Sequence, residues 1–241
     1  MLQSSQSLVQ EKLTLVEQQA LQQRWQAVLE QVSRAAKGQS QQVTLLAVSK
    51  TKPASMVQAL AEAGQVDFGE NYLQEALDKI QVLKSQQPSI IWHYIGHIQR
   101  NKTRDIAENF AWVHTIEREI IAKRLNNQRP ENLPALNVLI QVNIDLEESK
   151  SGCLPEDVEA LVCAIKDYPK LCLRGLMIIP AKEDTQAFAR TQALFNTIKS
   201  KYPELTAWDT LSMGMSGDMV DAITHGSTMV RVGTAIFGAR N

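Results

Sequence analysis

One pattern recurs eight times along this chain: a short apolar segment of strand length, followed by a longer segment whose apolar residues have helical spacing. Alternation of this kind is typical of parallel strands joined by helices. Eight units in succession predict an α/β protein with a single closed (β/α)8 barrel of the TIM type, because an open doubly wound sheet usually has fewer strands. No GxGxxG motif follows the first strand, which counts against a dinucleotide-binding fold. The strand segments begin at Val43, Val66, Ile90, Ala111, Leu136, Leu171, Asp209 and Ser227.

A further helix is predicted before the barrel, from about Leu8 to Lys37, with Gly38 ending it. Its apolar residues recur every three to five positions and leave a glutamine-rich outer face, which favours a docked amphipathic helix over a disordered tail. The expected organisation is an amphipathic helix in residues 1–38 and a barrel in residues 39–241. The apolar stripe of the helix consists of Leu13, Val16, Leu21, Trp25, Val28, Leu29 and Val32.

The chain is close to electrically neutral, with 25 Lys and Arg residues against 26 Asp and Glu residues. Nucleic acids and acidic membrane surfaces require a basic surplus, so neither is an expected partner. The three cysteines are too irregularly spaced for a disulfide framework or a structural zinc site. The first residues lack the pattern of a secretory leader, and no apolar run approaches the roughly 20 residues that span a bilayer. We therefore expect a cytoplasmic protein.

The first strand segment, VTLLAVSKTKP, becomes polar at its end and carries Lys50 to the expected mouth of the barrel. Barrels of this type have their chemistry at the carboxyl ends of the strands. A lysine there can form an imine with an aldehyde when burial or a neighbouring cation lowers its pKa. Two alternatives stay open from this stretch alone: Lys50 can be an ordinary solvated cation, and Lys52 can take the same role.

The loops after the seventh and eighth strands have the composition of a phosphate site. In the first loop, Gly214 and Gly217 let the backbone approach a ligand closely, while Ser216 offers a hydroxyl. In the second, Gly233 and Thr234 open a short helix whose free amides favour an anion. Either loop alone is ordinary, but barrels often bind phosphate with these two loops together.

Strand alternation makes a prediction about Arg231. Val230 and Val232 are expected to face the helices, so Arg231 turns inward toward the barrel mouth. An inward arginine needs a partner, which can be a ligand or an acidic residue of the barrel in a structural ion pair. Alternation alone leaves both open.

A lysine that captures an aldehyde and a phosphate site across the mouth would together hold pyridoxal 5′-phosphate (PLP). With these features in place, the sequence resembles the pyridoxal phosphate homeostasis protein family, which looks like a lone version of the barrel domain of alanine racemase. The matching stretches run from about residue 45 to the end of the chain. They are AVSKTKP, DFGENYLQEALDK, WHYIGHIQRNK, NIDLEESKSGC, RGLMIIP and LSMGMSGDMVDAITHGSTMVRVGTAIFGAR.

The resemblance implies roles for individual residues. Lys50 corresponds to the lysine that holds PLP as a Schiff base, and Arg231 to the neighbour of its pyridine nitrogen. Asn71 and Met177 correspond to residues beside the ring. The phosphate would be held by Ser216, Gly233 and Thr234.

We expect little or no turnover from such a site. Arginine stays protonated in proteins, so Arg231 would disfavour protonation of the pyridine nitrogen and weaken the cofactor as an electron sink. Racemases that resemble this barrel supply acid and base groups on both faces of the substrate, one of them through a second, all-β domain and a partner subunit. The chain stops at Asn241, soon after GTAIFGAR, so that group is expected to be missing.

The expected function is therefore a non-catalytic PLP-binding protein of vitamin B6 and amino-acid homeostasis. It would be a monomer that shields the reactive aldehyde and hands the cofactor on, with PLP-dependent apo-enzymes as candidate partners. One alternative is a small PLP-dependent racemase or lyase that uses a local acid. Another is an interaction module built on the leading helix, which would not need Lys50. The candidate acids at strand ends are His93, Tyr94, His97 and His114.

Overall fold

The predicted barrel is confirmed by a computed structural model, which describes residues 12–39, 42–147, 149–182 and 184–239. Eight parallel strands pair in chain order, and the eighth pairs with the first to close the sheet into a barrel. Closure leaves no strand edge exposed to solvent. The strands are β1 Thr44–Val48, β2 Asp67–Glu70, β3 Ile91–Tyr94, β4 Trp112–Ile116, β5 Leu136–Gln141, β6 Leu171–Met177, β7 Thr210–Ser212 and β8 Met229–Val232.

Helices follow the strands and surround the barrel, as the alternating pattern predicts. The helix after β1 begins at Ala54, one residue later than the Pro53 start suggested by the sequence, because Pro53 is its N-cap. Short 3₁₀ turns, Arg100–Lys102 and Pro155–Asp157, precede two of the helices. The helices are α1 Leu15–Ala35, α2 Ala54–Glu62, α3 Leu73–Leu83, α4 Thr103–Asn109, α5 Glu119–Gln128, α6 Val158–Ile165, α7 Ala187–Lys201, α8 Met219–Thr224 and α9 Thr234–Phe237.

Two apolar layers form the core. The larger layer lies between the strands and the helices, and Val230 and Val232 of β8 belong to it. The smaller layer fills the barrel interior and includes Met229 of the same strand. Neighbouring residues of β8 therefore face opposite sides of the sheet, as alternation requires. The interior layer consists of Leu46, Val48, Ile95, Trp112, Leu139, Met177 and Met229.

The leading helix α1 docks on the barrel, where it packs against α2, α8 and α9. Thr14 caps it, with Thr14 and Glu17 exchanging the two hydrogen bonds of a capping box. The buried stripe holds Leu21, Trp25, Val28 and Val32.

The prediction that Val16 belongs to this stripe is wrong, since 75% of its surface is exposed in the first turn. The helix ends at Ala35, and Gly38 follows with a left-handed φ of 93°. Residues 8–11 of the predicted helix lie outside the described residues. Within the described ranges, no helix is both long and apolar enough to cross a membrane.

Candidate functional site

Lys50 lies in the turn that follows β1, at the carboxyl end of the barrel, and is half-buried. The next residue, Thr51, has a left-handed φ of 63°. The competing lysine is occupied elsewhere, because Lys52 Nζ donates to the carbonyl oxygen of Ala239 at 2.7 Å. The Lys52 amine is thus directed toward the segment that follows α9.

The loops after β7 and β8 lie together beside the Lys50 turn. The backbone amide of Ala235, in the first turn of α9, is 3.5 Å from Ser216 Oγ of the β7 loop. Gly233 lies against β1, and a Cβ added to it would be 3.2 Å from the carbonyl oxygen of Val48. Because β8 pairs with β1, Gly233, the N-cap of α9, lies next to the end of β1, just before Lys50. Thr234 is the first residue of α9 and is exposed.

Arg231 points into the barrel, which confirms the prediction from alternation. Its side chain is buried, and its guanidinium donates to three oxygens. Nη1 is 2.6 Å from the carbonyl oxygen and 2.9 Å from the hydroxyl of Ser212, and Nη2 is 2.7 Å from the carbonyl oxygen of Ile178. None of the ion pairs found within the described ranges includes Arg231, so these backbone and hydroxyl oxygens replace the acidic partner that was an alternative. Burial lowers the pKa of Arg231 to about 10, which leaves it a cation at neutral pH.

A hydrogen-bonded chain continues from Arg231 through the barrel interior. Ser212 Oγ is 3.2 Å from His114 Nδ1, His114 Nε2 is 3.0 Å from His93 Nδ1, and His93 Nε2 is 2.9 Å from Asp67 Oδ1. A guanidinium can only donate, so the proton of Ser212 is free to go to His114. The Asp67 carboxylate can only accept, so neutral His93 carries its proton on Nε2 and accepts at Nδ1. Neutral His114 then donates from Nε2 to His93 and accepts from Ser212 at Nδ1.

Burial keeps both histidines of this chain uncharged. It lowers the pKa of His93, although Asp67 opposes the shift. The pKa of His114 falls well below 6.5, because burial is reinforced by repulsion from His93 and Arg231. Both side chains are fully buried inside the barrel, and His93 stacks on the Trp112 ring.

The other two candidate acids lie outside the barrel interior. Tyr94 donates its hydroxyl proton to the carbonyl oxygen of His97 at 3.0 Å. The His97 ring is largely exposed, 4.0 Å from a carboxylate oxygen of Glu117. Tyr94 ends β3 and packs in the outer apolar layer, with its ring edge-on to Phe110.

Asn71 and Met177 stand at the carboxyl ends of β2 and β6. The side-chain oxygen Oδ1 of Asn71 is buried and makes no hydrogen bond to any described residue. Met177 is 1% exposed, belongs to the interior layer and pairs in register with Ser212, the hydroxyl partner of Arg231. An unsatisfied buried amide oxygen just after a barrel strand is the kind of group that a polar ligand satisfies.

A buried ionic network adjoins Lys50 that the sequence reasoning missed. Lys79 Nζ lies 2.7 Å from Glu70 Oε1 and 2.6 Å from Glu75 Oε1. The spacing of Glu75 and Lys79, four residues apart on a predicted helix, was a signal for one of these pairs. The charged end of the DFGE strand was a signal for Glu70. Within the described ranges, no cluster of three His, Cys, Asp or Glu side chains has the geometry to hold a metal ion.

Known proteins match this chain over most of its length. Residues 16–241 match the family model for the alanine racemase N-terminal domain. The pyridoxal phosphate homeostasis protein of Haemophilus influenzae is 55% identical over 204 residues, covering 83% of this chain and 86% of that protein. The Escherichia coli protein of the same name is 53% identical over 207 residues, covering 83% and 87%. The solved structure of PipY from Synechococcus elongatus with PLP bound is 31% identical, with a TM-score of 0.76, and covers 87% of this chain and 99% of that one.

Proposed function

The chain belongs to the pyridoxal phosphate homeostasis protein family, and we propose that it binds PLP between the carboxyl ends of β1, β7 and β8. One observation carries the proposal: Gly233 packs on Val48, so the start of α9 and the turn of Lys50 are adjacent on neighbouring strands. An aldehyde and a phosphate on one small ring need such a pair of anchors side by side.

The residues at this site fit the chemical groups of PLP. When bound, PLP supplies an electron-withdrawing ring conjugated to an aldehyde. Lys50 would hold the aldehyde carbon as a Schiff base. The hydroxyl of Ser216 and the backbone at Gly233 and Thr234 would hold the phosphate, because they offer donors without a bulky side chain.

The ring would lie against residues of the barrel interior. Arg231, fixed by Ser212 and Ile178, would donate to the pyridine nitrogen. Met177 would pack beside the ring, and the unsatisfied amide of Asn71 would gain a polar partner. Asn71 follows β2, Met177 ends β6 and Arg231 is the penultimate residue of β8, so all three lie toward the carboxyl end of the barrel.

The charge on Arg231 argues for a binding role over catalysis. A cation that only donates keeps the pyridine nitrogen unprotonated, which limits how much negative charge the ring can accept from a bound amine. His93 and His114 are neutral and buried, so they are poorly placed to move substrate protons. The proposed role is to shield the aldehyde and transfer PLP to apo-enzymes, as a cytoplasmic monomer.

The decisive test is the absorption of the purified protein with PLP, between about 300 and 500 nm, before and after borohydride. We expect an imine band that borohydride abolishes, and no such band in Lys50→Ala. Lys52→Ala is the matched control from the same turn and should keep the band, because Lys52 binds Ala239 instead. A band that survives in Lys50→Ala would contradict the assignment of Lys50 as the residue that forms the imine.

The absence of turnover is tested separately. Purified wild-type protein loaded with PLP should racemise alanine no faster than Lys50→Ala does. Sustained Lys50-dependent racemisation would overturn the non-catalytic part of the proposal and would leave the binding site as assigned.

A further inference from the structure

The backbone on both sides of Lys50 is fixed by three buried or half-buried charged residues, which we call the clamp: Glu70, Glu75 and Lys79. On one side, Lys79 Nζ donates to the carbonyl oxygen of Ser49 at 2.7 Å, and Ser49 Oγ donates to Glu70 Oε1 at 2.6 Å. On the other side, the amide of Thr51 donates to Glu75 Oε1 at 2.7 Å. Lys50 is thus the residue between two anchored neighbours.

The clamp is unusual for its burial. Lys79 is 2% exposed and Glu70 is fully buried, and the second oxygen of the Glu70 carboxylate makes no hydrogen bond to any described residue. Burial raises the pKa of Glu70, while Lys79 acts in the opposite direction. A buried ion pair gives little stability beyond what apolar side chains of similar size would give. A role in fixing a conformation accounts for the clamp better than a role in stability does.

The conformation that the clamp fixes is one that Thr51 does not prefer. A β-branched residue with φ near +60° is strained, at about 1–3 kcal/mol, and persists only where its surroundings hold it. The hydrogen bond from the Thr51 amide to Glu75 is such a restraint. Without it, the turn that carries Lys50 is expected to relax toward negative φ and move the lysine.

We propose that Glu70, Glu75 and Lys79 are positioning residues that hold the Lys50 turn in the conformation in which its amine captures the cofactor aldehyde. This inference rests on the proposed function of Lys50. The clamp acts through the backbone and hydroxyl of Ser49 and the backbone of Thr51, and its own side chains need no contact with the cofactor.

The first test needs no cofactor. Glu75→Ala removes the acceptor of the Thr51 amide, and Glu75 is the clamp residue most suited to replacement because its side chain is 15% exposed. The readout is hydrogen exchange at the Lys52 amide, which donates to the carbonyl oxygen of Ser49 and does not touch Glu75. We expect exchange to become roughly 10-fold faster, since a lost hydrogen bond to a charged group is worth that factor or more.

Asp78→Ala is the matched control. Asp78 lies on the same helix and loses the same charge, but its side chain bonds only to Gln74 among the hydrogen bonds found in the described ranges. Exchange at Lys52 should stay at the wild-type rate. Equal acceleration in both variants would assign the effect to α3 as a whole and overturn the clamp.

The second test follows capture of PLP by the growth of the imine band. Glu75→Ala should form the band roughly 10-fold more slowly than wild type, and Asp78→Ala at the wild-type rate. Glu75→Gln should recover part of the loss, because its amide oxygen can still accept from Thr51.

The outcomes separate the two proposals. Faster exchange with unchanged capture in Glu75→Ala would overturn the positioning role and leave Lys50 as the capturing residue. If wild-type protein forms no imine band, the proposed function fails and the positioning role fails with it, while the exchange measurement still reports whether the turn is clamped.

Discussion

The residue after the candidate Schiff-base lysine has the most costly backbone conformation in its turn. Thr51 has a φ of 63°, in the left-handed region where a Cβ crowds the following carbonyl oxygen. Natural sequences usually place glycine or asparagine in such a conformation. A threonine there indicates that the turn is held by its contacts and not by its own preference.

A pair of substitutions measures this strain. Thr51→Gly should be more stable than Thr51→Ala by about 1 kcal/mol, because glycine adopts positive φ without the Cβ clash while alanine keeps the clash. Both variants lose the same hydroxyl and methyl groups, so the comparison isolates the backbone. The free energy of unfolding in urea gives the difference. If the left-handed conformation carried no strain, Thr51→Ala would be the more stable variant by about 0.4–1 kcal/mol, because alanine loses less backbone entropy on folding than glycine does.

Arg231 shows what a single inward residue contributes to the site. Its three donated hydrogen bonds reach the carboxyl ends of β6 and β7, so one side chain fixes the relative positions of three neighbouring strands. The guanidinium suits this task because its donors point in fixed, planar directions. The same rigidity would aim it at a ring nitrogen.

Among the elements, α1 contacts α9, the short helix that follows β8. Arg24 Nε donates to the carbonyl oxygen of Ile236 in α9 at 2.7 Å, and Trp25 Nε1 donates to Gln65 Oε1 at 2.8 Å. A four-residue helix such as α9 gains little stability from its own hydrogen bonds. Packing against α1 therefore holds α9, and with it the N-cap Gly233, in place.

Two leucines of α1 test this docking. Leu21→Ala should lower the free energy of unfolding by about 2–5 kcal/mol, because Leu21 is fully buried against the barrel and its loss leaves a cavity. Leu15→Ala is the control from the same helix. Leu15 is 78% exposed, and its replacement should change stability by less than about 0.5 kcal/mol. Similar, small effects at both positions would show that α1 does not dock as described.

At the scale of the whole molecule, a chain of hydrogen bonds runs through the barrel interior from one end of the barrel to the other. The chain from Arg231 through Ser212, His114 and His93 ends at Asp67, the first residue of β2. A cation near the mouth and a carboxylate at the opposite end are thus joined by neutral, directional hydrogen bonds. Fully satisfied buried networks of this kind favour one arrangement of the core over others.

This arrangement makes stability depend on pH. The folded pKa of His114 is well below 6.5, so as the pH falls below 6.5 the unfolded chain takes up a proton that the folded protein does not bind. The stabilisation is complete above pH 6.5 and is lost as the pH falls toward the folded pKa. Between pH 6.5 and about 5.5, His114 should account for a decrease of about 1 kcal/mol in the free energy of unfolding.

Denaturant unfolding of His114→Gln at these two pH values checks the assignment. The variant should lose about 1 kcal/mol less than wild type over this interval, whatever its absolute stability. An unchanged decrease in His114→Gln would contradict a neutral, buried His114.

The order of the elements, the barrel and the inward direction of Arg231 could all be predicted from the sequence. Helical and strand periodicities are local properties, and eight repeats of them leave few folds to consider. Alternation assigns each strand residue to a face, which is sufficient for Arg231 between two outward valines. The errors lie at helix ends, as with Val16, where a residue has helical spacing but lies beyond the packed surface.

Only the tertiary structure decided which groups meet. Alternation gives the side of a strand on which a residue lies, but not its height along the barrel axis or its neighbour on the next strand. The closing pair of β8 with β1 brings Gly233 to Val48, and the stagger of β3 and β4 brings His93 to His114. Lys79 reaches the turn of Lys50 from a helix outside the barrel. The sequence determined the scaffold and the residue types at its mouth, whereas strand register determined the partners of Arg231, His93 and His114, because those contacts join residues far apart in the chain.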